Sequence, residues 1–279
     1  MRRVLVLVVL AGLAGCGGGS RPPARPAVIP GGPVVRPTAA PLPAGPSGLA
    51  ADLAATDRRL AAAVDAWRRA GTDRPAVPAA VAGPARRQQA IYRRLVPRRA
   101  LTRRIVARLP RGLRAATADV VAAQAAIHVL NKPQRTSHAR RMVRLGPAEP
   151  PAALLAHYRE GARRSGVPWP LLAAINLVES DFGRLRNDSI AGAQGPMQFI
   201  ASTWRTYGRG DVHDPRQAIL GAARFLRAAG APRDDAAALL AYDPSPLYVA
   251  AVSRYARTMA ADPRAFYAFY AWTPPVRRR

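Results

Sequence analysis

The chain has 279 residues, 49% of them hydrophobic, which is enough for a substantial core in one or two domains. Lys plus Arg outnumber Asp plus Glu by 43 to 16, and the formal net charge of +27 points to an anionic partner: nucleic acid, a lipid surface or acidic cell-wall polymers. The single cysteine, Cys16, excludes a disulfide within the chain and any CxxC or Cys/His zinc spacing.

Residues 1–16, MRRVLVLVVLAGLAGC, open with Arg2 and Arg3, continue as an apolar run from Val4 to Leu13 and end in small residues. The run is about half of the ~20 residues that span a bilayer as a helix, so it reads as an export signal. Its last four residues, Leu13-Ala14-Gly15-Cys16, resemble the lipobox of bacterial lipoproteins, which implies a lipid anchor on Cys16 and a location outside the membrane, facing the cell wall. Export removes most of the case for nucleic acid. Residues 17–50 hold nine Pro and seven Gly with no acid, and they are expected to be a disordered linker, because little apolar area is available to offset ordering.

Residues 51–145 are expected to form an Arg-rich helical region. Leu53, Leu60, Val64 and Trp67 fall on a helical repeat; a break with Gly and Pro from Gly71 to Pro84 follows. Beyond it, Leu101, Ile105, Leu109 and Leu113 recur every four residues among Arg pairs, and an Ala/Val-rich helix over roughly 115–130 reads as core. The Arg pairs fit either a solvated face or a docking surface for anionic polymer.

Residues 146–272 are predicted to be helical as well, with residues 273–279 a basic tail. Pro150-Pro151 and Pro168-Trp169-Pro170 each open a helix, Asp214-Pro215 suits an N-cap and first turn, and Asp234-Asp235 can start the next. Tyr248, Val252, Tyr255 and Met259 share one helical stripe, and Asp262-Pro263 begins a last aromatic helix. No alternating strand pattern exceeds four residues, so the fold class is all-α.

The chemistry rests on carboxylates. The four His residues are scattered, HExxH, GxSxG and P-loop patterns are absent, and neither metal nor cofactor is expected. Glu179 follows Leu172 and Ile175 at i+7 and i+4, which places an acid in line with an apolar stripe. Burial there disfavours the ionised form and leaves a carboxyl group able to donate a proton.

Glu179-Ser180, then GPMQF over residues 195–199, then Ala241-Tyr242 with Tyr248-Val249 downstream, resemble in order and spacing the catalytic domain of lytic transglycosylases of the soluble, goose-lysozyme-like type. The similarity covers approximately residues 150–262. It implies a lysozyme-like fold and peptidoglycan glycan strands as substrate, cut between N-acetylmuramic acid and N-acetylglucosamine with a single catalytic Glu179. The same resemblance puts Ser180 at the sugar's acetamido group or at Glu179 and Met197 and Gln198 along the glycan groove. It makes Gly195 the point of close chain approach, places Tyr242 in the family's Ala-Tyr-Asn signature, and brings the Tyr248 hydroxyl to Glu179. Asp243 departs from the signature, whose third residue is Asn. Its charge is expected to raise the pKa of Glu179 or to hold a nucleophilic water, moving activity to lower pH or allowing some hydrolysis, unless it only caps the turn. Two other readings stand beside the transglycosylase: a muramidase that uses water, and a scaffold that grips peptidoglycan without cutting it.

Overall fold

A computed structural model describes residues 40–131 and 143–274. Cys16, the export signal, most of the linker and the end of the basic tail lie outside the described residues. Within them the chain forms eleven α-helices and no strand, the all-α class expected from the sequence. They are α1 (Pro46–Ala70), α2 (Ala79–Leu95), α3 (Arg99–Arg108), α4 (Arg111–Leu130), α5 (Pro151–Ser165), α6 (Trp169–Ser180), α7 (Ala201–Tyr207), α8 (Pro215–Ala228), α9 (Asp235–Tyr242), α10 (Pro246–Ala261) and α11 (Arg264–Tyr270).

Helix starts follow local chemistry. The Asp214 side chain accepts the Gln217 N–H at 2.7 Å with Pro215 in the first turn, and Asp234 caps α9 through Ala237 in the same way. Two boundaries differ from expectation. α1 begins at Pro46, inside the stretch expected as linker, where Leu49 and Ala50 are already buried. α2 begins at Ala79 and carries Pro84 within it, so that proline does not end the break as expected. Near a helix start, proline removes one backbone hydrogen bond, and the buried Val81, Ala85 and Ile91 hold the helix regardless.

α10 is the pivot of the packing. It lies against α4 on one flank and α6 on another, and it also touches α9 and α11. α4 is long and apolar enough to cross a membrane by length and composition, but Val120 and Ala123 are buried, and its Asp119 pairs with Arg257 of α10 at 2.7 Å. α5 packs on α8 and α6, and α1 on α2, α3 and α11. Trp67 of α1 meets the rings of Tyr267 and Tyr270 at 5.9 and 6.2 Å, and Tyr92 of α2 meets Trp272 at 6.0 Å. The Arg-rich helices therefore share one continuous apolar core with the helices that follow.

Candidate active site

α6 is almost entirely apolar, and Leu172 and Ile175 are fully buried on the stripe that ends in Glu179. Three successive residues with positive φ stop it: Asp181 at 51°, Phe182 at 60° and Gly183 at 81°. A bulky residue in the left-handed region is strained, so the surroundings must hold Phe182 in place. Its ring is 1% exposed and edges onto Phe266 at 5.5 Å, while the Gly183 N–H donates to Ser180 Oγ at 2.9 Å. The abrupt stop fixes Glu179 and Ser180 in the last turn of a rigid helix.

Glu179 is 8% exposed, and Oε1 accepts the Tyr248 hydroxyl at 2.7 Å. Burial pushes its pKa up to about 8; the bond from Tyr248 opposes the shift and the charge of Asp243 reinforces it. The carboxyl group therefore keeps its proton at neutral pH. Asp243 is itself buried, and burial raises it to about 6 against a hydrogen bond from the Ser245 backbone. It follows the last turn of α9 and has both properties expected of it in the alternative: it ends that helix, and it lies near enough to Glu179 to act on it electrostatically. Tyr248, in the first turn of α10, is fully buried; its ring stacks on that of Tyr242 at 6.3 Å with 4° between the planes.

The loop over residues 194–199 is pinned from three sides. The backbones of Gln194 and Phe199 exchange hydrogen bonds at 2.9 Å, which closes the turn. Gly195 has φ +71°, and a Cβ there would lie 2.0 Å from the Val212 carbonyl oxygen, so only glycine allows the approach. The Pro196 carbonyl accepts from Ser180 Oγ at 2.6 Å and from Asn176 Nδ2 at 2.8 Å, and the Tyr242 hydroxyl donates to the Met197 carbonyl at 2.5 Å.

Several side chains thus face differently from what the resemblance implied. Ser180 is fully buried with its hydroxyl committed to the loop, so it holds the loop and neither a sugar nor Glu179. Met197 is fully buried, packed into the core, and offers only its carbonyl to Tyr242. Gln198, at φ 50°, turns its amide back onto the Gly195 carbonyl at 2.9 Å. Asn176 was missed in the sequence: one turn before Ser180, it clasps the loop and accepts the Tyr158 hydroxyl at Oδ1. The available signal was a lone amide inside an otherwise apolar helix.

Residues 157–263 match the family described as Transglycosylase SLT domain. Over these residues the chain is similar to SLT domains. Glu179, the pinned loop and the Tyr242/Tyr248 pair all fall within that match. A membrane-bound lytic murein transglycosylase F from Thiobacillus denitrificans is 40% identical over 73 residues, which are 26% of this chain and 15% of that protein. The aligned part therefore spans only a small fraction of that relative's length. No solved structure matches the chain. The Arg-rich α1 to α4 lie outside this match, yet α4 packs on α10 within it and α1 and α2 pack on α11 just beyond it, so the matched stretch is one part of a larger folded unit.

Proposed function

We propose that the chain is a peptidoglycan lytic transglycosylase with Glu179 as its acid and base. The observation that carries this reading is a carboxyl group buried at the end of an apolar helix, with Tyr248 donating to it at 2.7 Å, inside the stretch that matches SLT domains. Glu179 donates its proton to the glycosidic oxygen as the bond to C1 of N-acetylmuramic acid breaks, and the acetamido oxygen of that sugar closes onto C1. The Glu179 carboxylate then takes the proton of the sugar's own C6 hydroxyl, whose oxygen displaces the acetamido group. The product is a 1,6-anhydromuramyl end, and no water is consumed. Tyr248 fixes the orientation of Oε1 throughout. In this reading the acylated Cys16 tethers the chain to the membrane, and the exposed Arg99, Arg103, Arg104 and Arg108 of α3 hold it to anionic wall polymers.

Digestion of purified sacculi by the full chain tests this. Mass spectrometry is expected to find anhydro ends without new reducing ends; reducing ends alone would establish a muramidase, and intact glycan a scaffold.

Asp243 gives the hydrolytic reading a specific foothold, because a second carboxylate near the acid can hold a water. It also sets the pH profile, in the direction opposite to the one expected from sequence. Above pH 6 its charge keeps the proton on Glu179, so it extends the protonated form upward in pH. Asp243→Asn is expected to move the alkaline limb of the activity profile to lower pH and to remove any reducing ends. A limb that stays in place or rises would show that Asp243 does not act on Glu179.

A further inference from the structure

Away from Glu179, four arginines line a cleft of about 290 Å³ between the end of α5, the loop after α7 and the face of α8. Arg164, Arg209, Arg216 and Arg224 line it together with Gln217 and Leu220. Glu160 answers two of these cations: it accepts Arg216 through both oxygens at 2.6 and 2.8 Å and Arg164 at 2.7 Å. Asp214 adds a weaker negative influence on Arg216. The other two cations have no such answer. Arg224 is built into the wall by its Nε, which donates to the Tyr207 carbonyl at 2.7 Å, but its Nη2 is buried with no hydrogen-bond partner. Arg209 makes no hydrogen bond or ion pair among the described residues. Burial and the charges of Arg209 and Arg164 weaken the hold of Arg224 on its proton, as expected where cations crowd together with too little anion.

A buried N–H without an acceptor is costly and calls for a ligand that supplies one. Guanidinium groups arriving from three segments suit an anion with several acceptor oxygens pointing in different directions; a carboxylate needs only one planar fork. The backbone of the loop that carries Arg209 is tied to α8, because the Asp211 N–H donates to Gln217 Oε1 at 2.6 Å, which keeps the exposed Arg209 side chain within reach of the cleft.

We propose that this cleft binds a phosphate ester through Arg209, Arg224 and Arg164. None of the residues placed around Glu179 lines it, so the assignment stands whether or not the chain cleaves glycan.

Calorimetric titration of the full chain with glycerol 3-phosphate tests it, with acetate at matched ionic strength as the carboxylate arm and phosphatidylglycerol vesicles as the lipid arm. Saturable binding of glycerol 3-phosphate is expected, weakened about tenfold by Arg209→Ala. Arg86→Ala, which removes the same charge from an exposed position of α2, is expected to leave it unchanged. Arg224→Gln, checked for intact helix content by circular dichroism, is expected to repeat the loss. Binding to vesicles alone with the same sensitivity to Arg209 would assign the phosphate to a lipid headgroup. Equal affinity for acetate, equal losses in Arg209→Ala and Arg86→Ala, or no binding in any arm would overturn the proposal.

Discussion

Glu179→Gln is expected to lower glycan cleavage by about 10²- to 10⁴-fold, the usual contribution of a positioned proton donor, while leaving affinity for the glycan largely intact. Gln keeps the size of the side chain and an acceptor for the Tyr248 hydroxyl, but it has no proton to give. The same substitution is expected to make the protein more stable in alkali. Burial raises the Glu179 pKa from 4.5 to about 8, so the folded chain holds this proton more tightly than the unfolded chain does. The stability contributed by Glu179 is complete below pH 4.5 and is lost as pH rises to about 8. Each pH unit of that window is worth at most about 1.4 kcal/mol. The difference between the thermal midpoints of wild type and variant should therefore be flat in acid and widen in the variant's favour up to about pH 8. Equal cleavage by the two proteins would remove Glu179 from the chemistry. Parallel midpoint curves would show that its proton is not held as the burial implies.

Gly195→Ala is expected to cost about 2 to 4 kcal/mol of stability, because it combines a left-handed backbone with a direct collision. The added Cβ would meet a backbone carbonyl, that of Val212, at 2.0 Å, and backbone cannot swing aside as a flexible side chain can. Relief requires the turn over residues 194–199 to open, which withdraws the Pro196 carbonyl from Asn176 and Ser180 and the Met197 carbonyl from Tyr242. Activity should fall even well below the melting temperature. Gly192 supplies the comparison: its φ of +82° is similar, but a Cβ there meets nothing within 4 Å. Gly192→Ala should show only the conformational cost, about 1 to 2 kcal/mol, with activity retained. Urea denaturation and sacculus clearance by both variants decide the matter; equal behaviour would mean that the turn yields easily.

What could be read from the sequence was what short stretches encode. The stripe through Leu172, Ile175 and Glu179 reports a 3.6-residue period, and Asp214-Pro215 or Asp234-Asp235 report a cap three residues from the N–H it receives. Both signals are complete within one or two helical turns. Burial of Met197 and the commitment of Ser180 to Pro196 were not legible, because they depend on how a loop folds onto a helix sixteen residues away. The docking of the Arg-rich helices was further out of reach: Asp119 meets Arg257, and Trp67 meets Tyr267, across very large separations in the chain. Motif order brought the Tyr248 hydroxyl to Glu179, but it could not show that the Met197 side chain packs into the core or that the half-buried Gln198 bonds the Gly195 carbonyl.

The seating of α10 on α4 makes the smallest working unit larger than the family's footprint. A fragment cut to residues 157–263 would lose α4 and with it the wall that covers one flank of the helix bearing Tyr248. A shortened version of this protein should therefore begin no later than Pro46, so that the basic helices and the helix bearing Tyr248 stay one folded body.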